Sequence, residues 1–217
     1  MSEPRDWDLR ADELSAEAIG RGDPTAWFDE LYAAGSAGEV SMPWDRTLPQ
    51  VDLREWAERE GVDGAGRRAV VVGCGLGADA EYLASLGFTT TAFDISPTAV
   101  EVARGRNPGS SVDYRVADLL ALPDEWHHAF DLVVEIFTLQ ALPDPPREAA
   151  ADAVTGLVDE GGTLLVVAFR YAGSGNAESG PPFPLGRAFM ESLARDGLDA
   201  VRLEELAGPR WRATYRR

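Results

Sequence analysis

The feature that most constrains the fold is the stretch Ala69-Val70-Val71-Val72-Gly73-Cys74-Gly75-Leu76-Gly77, followed by the helical Ala80-Glu81-Tyr82-Leu83-Ala84. An unbroken apolar, β-branched run has no polar face to turn to water, so it reads as a strand covered on both sides. The alternating glycines let the backbone turn sharply and pass close beneath a ligand. The helix that follows presents unpaired N–H groups at its start, which suits a polar or anionic ligand. Taken alone, the same residues also describe a tight turn that packs a helix on a strand.

The strand-then-helix unit recurs. Phe88 to Phe93 reads as strand two, Pro97 to Arg104 as a helix, Val112 to Val116 as strand three and Phe130 to Phe137 as strand four. A helix over Arg147 to Val158 and a fifth strand over Thr163 to Phe169 follow, separated by Gly161-Gly162. Continuous apolar strands alternating with helices predict a mostly parallel sheet with helices on both faces, a doubly wound α/β fold. The last elements break the alternation. Val201 to Leu206 and Trp211 to Tyr215 read as an antiparallel pair joined at Gly208-Pro209, which brings the sheet to seven strands.

Ahead of the sheet, a charged start to about residue 20 reads as flexible and leading into a helix. From Asp23-Pro24, the residues Ala26, Trp27, Leu31 and Tyr32 fall at helical spacing, and Leu53, Trp56 and Ala57 suggest a further short helix. The expected organisation is an N-terminal helical cap or lid over residues 1–60 and a ligand-binding core over 61–217, together one domain.

All 20 basic residues are Arg, against 37 acidic ones, for a formal charge of -17. Without Lys there is no Schiff-base, phosphate-loop lysine or lysine general-base chemistry. The acidic balance argues against binding nucleic acid, which rests on clustered positive charge, and makes small molecules the expected partners. The Arg-rich end, Arg210, Arg212, Arg216 and Arg217, reads as a solvated strand or tail. A single cysteine, Cys74, rules out an intrachain disulfide and a cysteine-rich metal cluster. The two histidines, His127 and His128, are sequence neighbours, poorly placed to share a metal or serve a nucleophile, so no metal is expected. No signal-peptide pattern opens the chain and no stretch nears the ~18 apolar residues of a membrane span, so a cytoplasmic protein away from membranes is expected.

Asp94 ends strand two, seventeen residues after Gly77, where an acid in this architecture accepts hydrogen bonds from both hydroxyls of a ribose. It also opens the turn Asp94-Ile95-Ser96-Pro97, in which capping the next helix is the competing task. Position 78 is Ala where a dinucleotide fingerprint places its third glycine, which the looser pattern allows, so the stretch also fits an NAD-dependent oxidoreductase.

With Asp118 after strand three, the glycine alternation and Asp94 resemble the class I S-adenosylmethionine-dependent methyltransferases, from about Ala69 to the C-terminus. The resemblance implies S-adenosylmethionine as cofactor. It places Gly73, Cys74, Gly75 and Gly77 beneath the methionine end, Asp94 at the ribose, Asp118 at the adenine amino group, and Ile95 and Leu119 against the adenine faces. Glu135 and Ile136, at the end of strand four where ligands bind in open α/β sheets, complete the expected cofactor set. Capping a helix is the competing reading of Asp118. A closing antiparallel pair is typical of the same family.

Further stretches carry a narrower resemblance. Ala141-Leu142-Pro143 with Pro145-Pro146-Arg147, and Gly180-Pro181-Pro182-Phe183-Pro184-Leu185, resemble the thiopurine and thiol methyltransferase-like branch. In that branch an N-terminal segment folds over the cofactor, and Trp27 and Pro43-Trp44-Asp45-Arg46 match it, although Leu31 stands where some relatives have a second tryptophan. The resemblance implies methyl transfer to a small-molecule acceptor, a thiol or similar soft nucleophile, by in-line displacement that relies on alignment and exclusion of water. Arg147 is then the candidate catalytic residue, a cation stabilising a thiolate, with a salt bridge as the competing reading. Phe137, Tyr171 and Phe183 are candidate pocket residues, Tyr171 just before and Phe183 within the Gly, Ser and Pro-rich loop Ala172 to Pro184. His127 and His128 lie at the N-terminal end of strand four, away from the expected site. The same pattern also accommodates a small-molecule O- or N-methyltransferase of secondary metabolism, or a non-catalytic ligand-binding protein on the same fold.

Overall fold

The structure, a computed structural model, describes residues 6–42, 44–173, 176–178 and 180–217, and only the backbone of residues 6–8. Five parallel strands, β1 (Arg68–Val72), β2 (Thr89–Asp94), β3 (Asp113–Val116), β4 (Phe130–Ile136) and β5 (Val158–Phe169), form most of one sheet. Strands β6 (Asp199–Leu206) and β7 (Arg210–Arg216) close it antiparallel, in the order β3-β2-β1-β4-β5-β7-β6. Chain order runs one way from β1 to β3 and the other way from β4, so a crevice opens between β1 and β4, where open α/β sheets bind ligands.

Both faces of the sheet are buried at the central strands β1, β4 and β5, which is why their apolar runs show no polar alternation, while the edge strands β3 and β6 are largely exposed. On one face Val70, Val133 and Leu164 pack with Val154 of α6 (Pro146–Gly156) and Met190 of α7 (Arg187–Ser192). On the other, Val71, Leu132 and Leu165 pack with Trp56 of α3 (Val51–Glu60), Leu83 of α4 (Ala78–Ser85) and Val100 of α5 (Pro97–Arg106).

Several elements differ from the sequence expectation. The charged start is helical from Asp6, as α1 (Asp6–Gly20), because Ala11, Leu14 and Ala18 make a stripe at helical spacing that buries against Trp27 and Leu31 of α2 (Trp27–Ser36). Helix α3, expected within the cap, packs on the sheet, and its Trp56 Nε1 donates to Thr214 Oγ1 of β7 at 3.1 Å. Strand β5 starts at Val158 instead of Thr163, since the chain pairs with Phe130 across an irregular register and runs on through the two glycines. Helix α7, only six residues long, is too short to leave a periodic signal in the sequence. The Arg-rich end is a strand, as one of the two readings has it, but only Arg216 of it is exposed to solvent. Arg212 is buried, and with Arg59 it forks onto Glu204, holding that carboxyl down at about 2, while Arg210 pairs with Asp52 of α3. No helix among the described residues is long and apolar enough to cross a membrane.

Candidate functional site

A cavity of about 650 Å³ opens at the C-terminal ends of β1, β2 and β4. Its floor is the turn between β1 and α4. Gly73 and Gly77 have φ of +60° and +92°, a region that favours glycine, and a Cβ at either position would strike the Thr138 side chain or the Tyr114 hydroxyl respectively. Gly75 donates its N–H to Asp94 Oδ2 at 2.9 Å, and Ser96 donates its N–H to Asp94 Oδ1 at 3.0 Å. The carboxylate thus fixes both turns that meet at the crevice. Burial pushes the Asp94 carboxyl up, against the opposing pull of those N–H groups.

Capping and cavity-lining are divided between neighbours. Ser96 caps α5, accepting from Ala99 N at 3.0 Å, while Asp94 faces the cavity. The Ser96 hydroxyl also donates to Asp29 Oδ1 of α2 at 2.5 Å, and Thr98 N donates to the same oxygen, so α2 is latched onto the first turn of α5. At Asp118 the two tasks coincide: Oδ1 accepts from Leu120 N at 2.8 Å, capping the 3₁₀ turn Leu119–Ala121, and the residue lines the cavity.

Trp27, Trp44, Gly73, Cys74, Gly75, Gly77, Asp94, Ile95, Asp118, Leu119, Ile136 and Phe137 all line this one cavity. Trp27 stacks on Phe28 with ring centroids 4.1 Å apart, and Trp44 meets the Tyr32 ring edge-on at 6.2 Å. Pro43, which precedes Trp44 in the expected motif, lies outside the described residues, as do Ser174, Gly175 and Ser179 of the loop after β5. Burial and Asp94 push the Cys74 thiol up, so it fills space as a neutral group. Phe137 takes a strained φ of +64° at the end of β4 and stacks on Phe169 at 4.9 Å.

Four expected site residues do not line the cavity. The Glu135 side chain is fully buried beneath it. Its Oε1 accepts from Thr138 N at 2.7 Å and Leu139 N at 3.0 Å, its Oε2 has no partner, and burial pushes its carboxyl up to about 7. Arg147 is corrected from a catalytic cation to a structural clamp. It is 1% exposed, Nε and Nη2 donate to Leu142 O at 2.8 and 2.6 Å, Nη1 meets Asp144 at 3.0 Å, and the guanidinium lies over the Phe183 and Phe189 rings. Phe183 is therefore held behind the wall by Arg147, and Tyr171 is 41% exposed on the surface. His127 and His128 stack on each other at 4.0 Å and do not line the cavity.

Phe28, Tyr32, Asp79, Thr138 and Gln140 also line the cavity, although the sequence did not single them out for it. Phe28 and Tyr32 lie one turn apart on α2, a spacing that is legible in the sequence. Asp79 accepts from Gln50 N at 2.6 Å and sits 3.6 Å from Arg46, tying the segment before α3 to the glycine turn. The charged lining groups are Arg46, Asp79, Asp94 and Asp118, the last three at or after the ends of β1, β2 and β3, whereas Phe137, Leu142 and Phe169, at or after the ends of β4 and β5, supply aromatic and apolar lining. No group of His, Cys, Asp or Glu among the described residues is arranged to hold a metal ion.

The chain is 38% identical over 132 residues to the ubiquinone biosynthesis O-methyltransferase of Xanthomonas axonopodis pv. citri (strain 306), covering 57% of this chain and 54% of that protein. It spans about half the length of the relatives it matches. Among solved structures, one concerning the conversion of a disulfide bond into a thioacetal group during echinomycin biosynthesis superimposes with a TM-score of 0.71 at 23% identity, covering 87% of this chain and 91% of that one. The N-methyltransferase NodS from Bradyrhizobium japonicum WM9, in complex with S-adenosyl-L-homocysteine, gives 0.62 at 19% identity over 95% of this chain and 98% of that one. Residues 69–162 match the family described as a methyltransferase domain, and the fold around them is the Rossmann-like methyltransferase fold.

Proposed function

We propose that this chain is an S-adenosylmethionine-dependent methyltransferase acting on an oxygen of a small organic acceptor. The observation that carries the reading is one cavity lined by a glycine turn, Asp94 and Asp118 from the segments at β1, β2 and β3 and by Phe137 and Phe169 from the ends of β4 and β5. The match to ubiquinone biosynthesis O-methyltransferases favours oxygen over the thiol suggested by the Gly180 to Leu185 segment. The antiparallel β7 between β5 and β6 favours this fold use over an NAD-dependent oxidoreductase.

The residues fit the cofactor. When bound, S-adenosylmethionine supplies an electrophilic methyl on a sulfonium, so the chain's work is to bind, orient and exclude water. Each Asp94 oxygen accepts one backbone N–H and retains a lone pair for a ribose hydroxyl. Asp118 has an oxygen not used by Leu120 N for the adenine amino group, with Ile95 and Leu119 as apolar neighbours. Trp27, Phe28 and Tyr32 of α2 line the cavity, and a lined volume of this size takes small molecules.

Calorimetry against S-adenosylhomocysteine and NAD, followed by labelled methyl transfer to panels of hydroxyaromatics, thiols and amines, tests the reading. Binding of S-adenosylhomocysteine with transfer to oxygen is expected. Binding of NAD alone overturns the cofactor assignment, and transfer confined to thiols restores the soft-nucleophile reading.

A further inference from the structure

We infer that Gln140 is the residue that orients the acceptor, through its side-chain N–H group, and that the acceptor is a hydroxyaromatic or similar acidic hydroxyl that arrives already ionised. This rests on the methyltransferase reading and names its acceptor class.

Gln140 is 2% exposed and lines the cavity. Its Oε1 accepts from Phe169 N at 2.5 Å, and its backbone O accepts from Phe183 N at 2.7 Å. A backbone N–H only donates, so the Phe169 contact fixes which end of the carboxamide is oxygen and leaves Nε2 as the other end. Among the described residues Nε2 has no hydrogen-bond partner. Nε2 is not among the buried atoms that lack a partner, so this fixed donor is open to the cavity, where a ligand or water completes it.

Among the described residues no histidine lines the cavity, and each lining carboxylate, Asp79, Asp94 and Asp118, already accepts a main-chain N–H. The neighbouring lining is Ile136, Phe137, Leu142 and Phe169, and the Thr138 hydroxyl spends its proton on Val72 O at 3.1 Å. Glu135, the carboxyl beneath this turn, is fully buried and does not line the cavity; its Oε1 accepts from Thr138 N and Leu139 N, and its unpartnered Oε2 is shut off from the cavity with it. A donor without a base selects a nucleophile that brings its own negative charge, and a hydrogen bond to an oxyanion is stronger than one to a neutral oxygen. The chemistry balances: an acceptor oxyanion, its proton already lost to solvent, forms the O–CH₃ bond, and the electron pair of the broken S–CH₃ bond stays on sulfur as a neutral thioether. No proton is left for the protein to collect.

The probe is 4-nitrophenol, whose anion is coloured, added to the chain saturated with S-adenosylhomocysteine at alkaline and acidic pH. The expected result is binding of the anion and weaker binding of the neutral phenol. Gln140→Met is expected to weaken anion binding about tenfold or more, the scale of a lost charge-assisted hydrogen bond, with affinity for S-adenosylhomocysteine within about twofold. Gln140→Glu keeps an oxygen for Phe169 N and replaces only the donor end, so it gives the same loss at alkaline pH should the Met variant misfold. With acceptors the chain methylates, the midpoint of the pH–rate profile should follow each acceptor's own pKa. Binding of the neutral phenol in preference, no binding of 4-nitrophenol to the cofactor-product complex, unchanged affinity in both variants, or a midpoint fixed whatever the acceptor would each overturn the inference. Failure to bind S-adenosylhomocysteine instead overturns the cofactor reading beneath it.

Discussion

The two ends of the cavity are built in different ways. At the glycine-turn end, main-chain N–H groups of Gly75, Ser96 and Leu120 donate to two carboxylates, and the residues involved stand in or beside the loops that follow β1, β2 and β3. At the aromatic end, Gln140, Phe169 and Phe183 hold one another across three separate segments, with Arg147 clamping Leu142 from behind. The first end is specified by local backbone needs, so its residue types are nearly dictated. The second is specified by side chains that meet only after the chain has folded, so many sequences could serve.

The sharpest test of that division lies where the ends touch. Gly73→Ala forces a left-handed conformation on alanine and drives its Cβ into Thr138, with an expected loss of roughly 2–4 kcal/mol in denaturant unfolding. Thr138→Ala in the same chain should recover the steric part, and strict additivity of the two changes would show that the ends are independent.

A second effect is pH-dependent. Glu135 has its carboxyl raised to about 7, so between about 4.5 and 7 the folded chain keeps a proton that the unfolded chain releases. Its contribution to stability is present below about 4.5 and lost as pH rises through 7, on the order of 3 kcal/mol. Glu135→Gln preserves an oxygen for Thr138 N and Leu139 N and should flatten this slope. An unchanged profile in chemical denaturation would remove Glu135 as its source.

Asp94→Asn should cost about 1–3 kcal/mol, because its amide must turn an NH₂ toward the N–H of Gly75 or Ser96, and calorimetry should show weaker S-adenosylhomocysteine binding. Arg147→Lys is the smallest change expected. Losing the fork onto Leu142 O should lower stability by about 1–2 kcal/mol while cofactor affinity stays within about twofold. A large loss of cofactor affinity in the Lys variant would merge the two ends into one unit.

The difference also explains what is legible in the sequence. The strands are readable because burial on both faces demands unbroken apolar runs, and Val70 to Val72 and Val133 to Val134 satisfy that demand in sequence alone. Asp94 and Asp118 are readable because each follows directly from a strand end. Helix α1 is not, since Ala11, Leu14 and Ala18 acquire meaning only against Trp27 and Leu31. Arg147 looks like a free cation in sequence, and only packing shows its donors committed to Leu142 O. Gln140 draws no notice inside a strand-end segment because a glutamine side chain gains direction only from the partner that fixes its oxygen.

The sequence by itself determined the doubly wound sheet, its antiparallel closure and the glycine turn with its two acids, since backbone conformation and burial leave few residue types open at those positions. The tertiary structure alone decided which aromatic side chains face the cavity, which arginine is spent behind its wall, and that one carboxamide is left with a donor that no described residue meets. Those outcomes depend on contacts between segments far apart in the chain, and no local pattern encodes them.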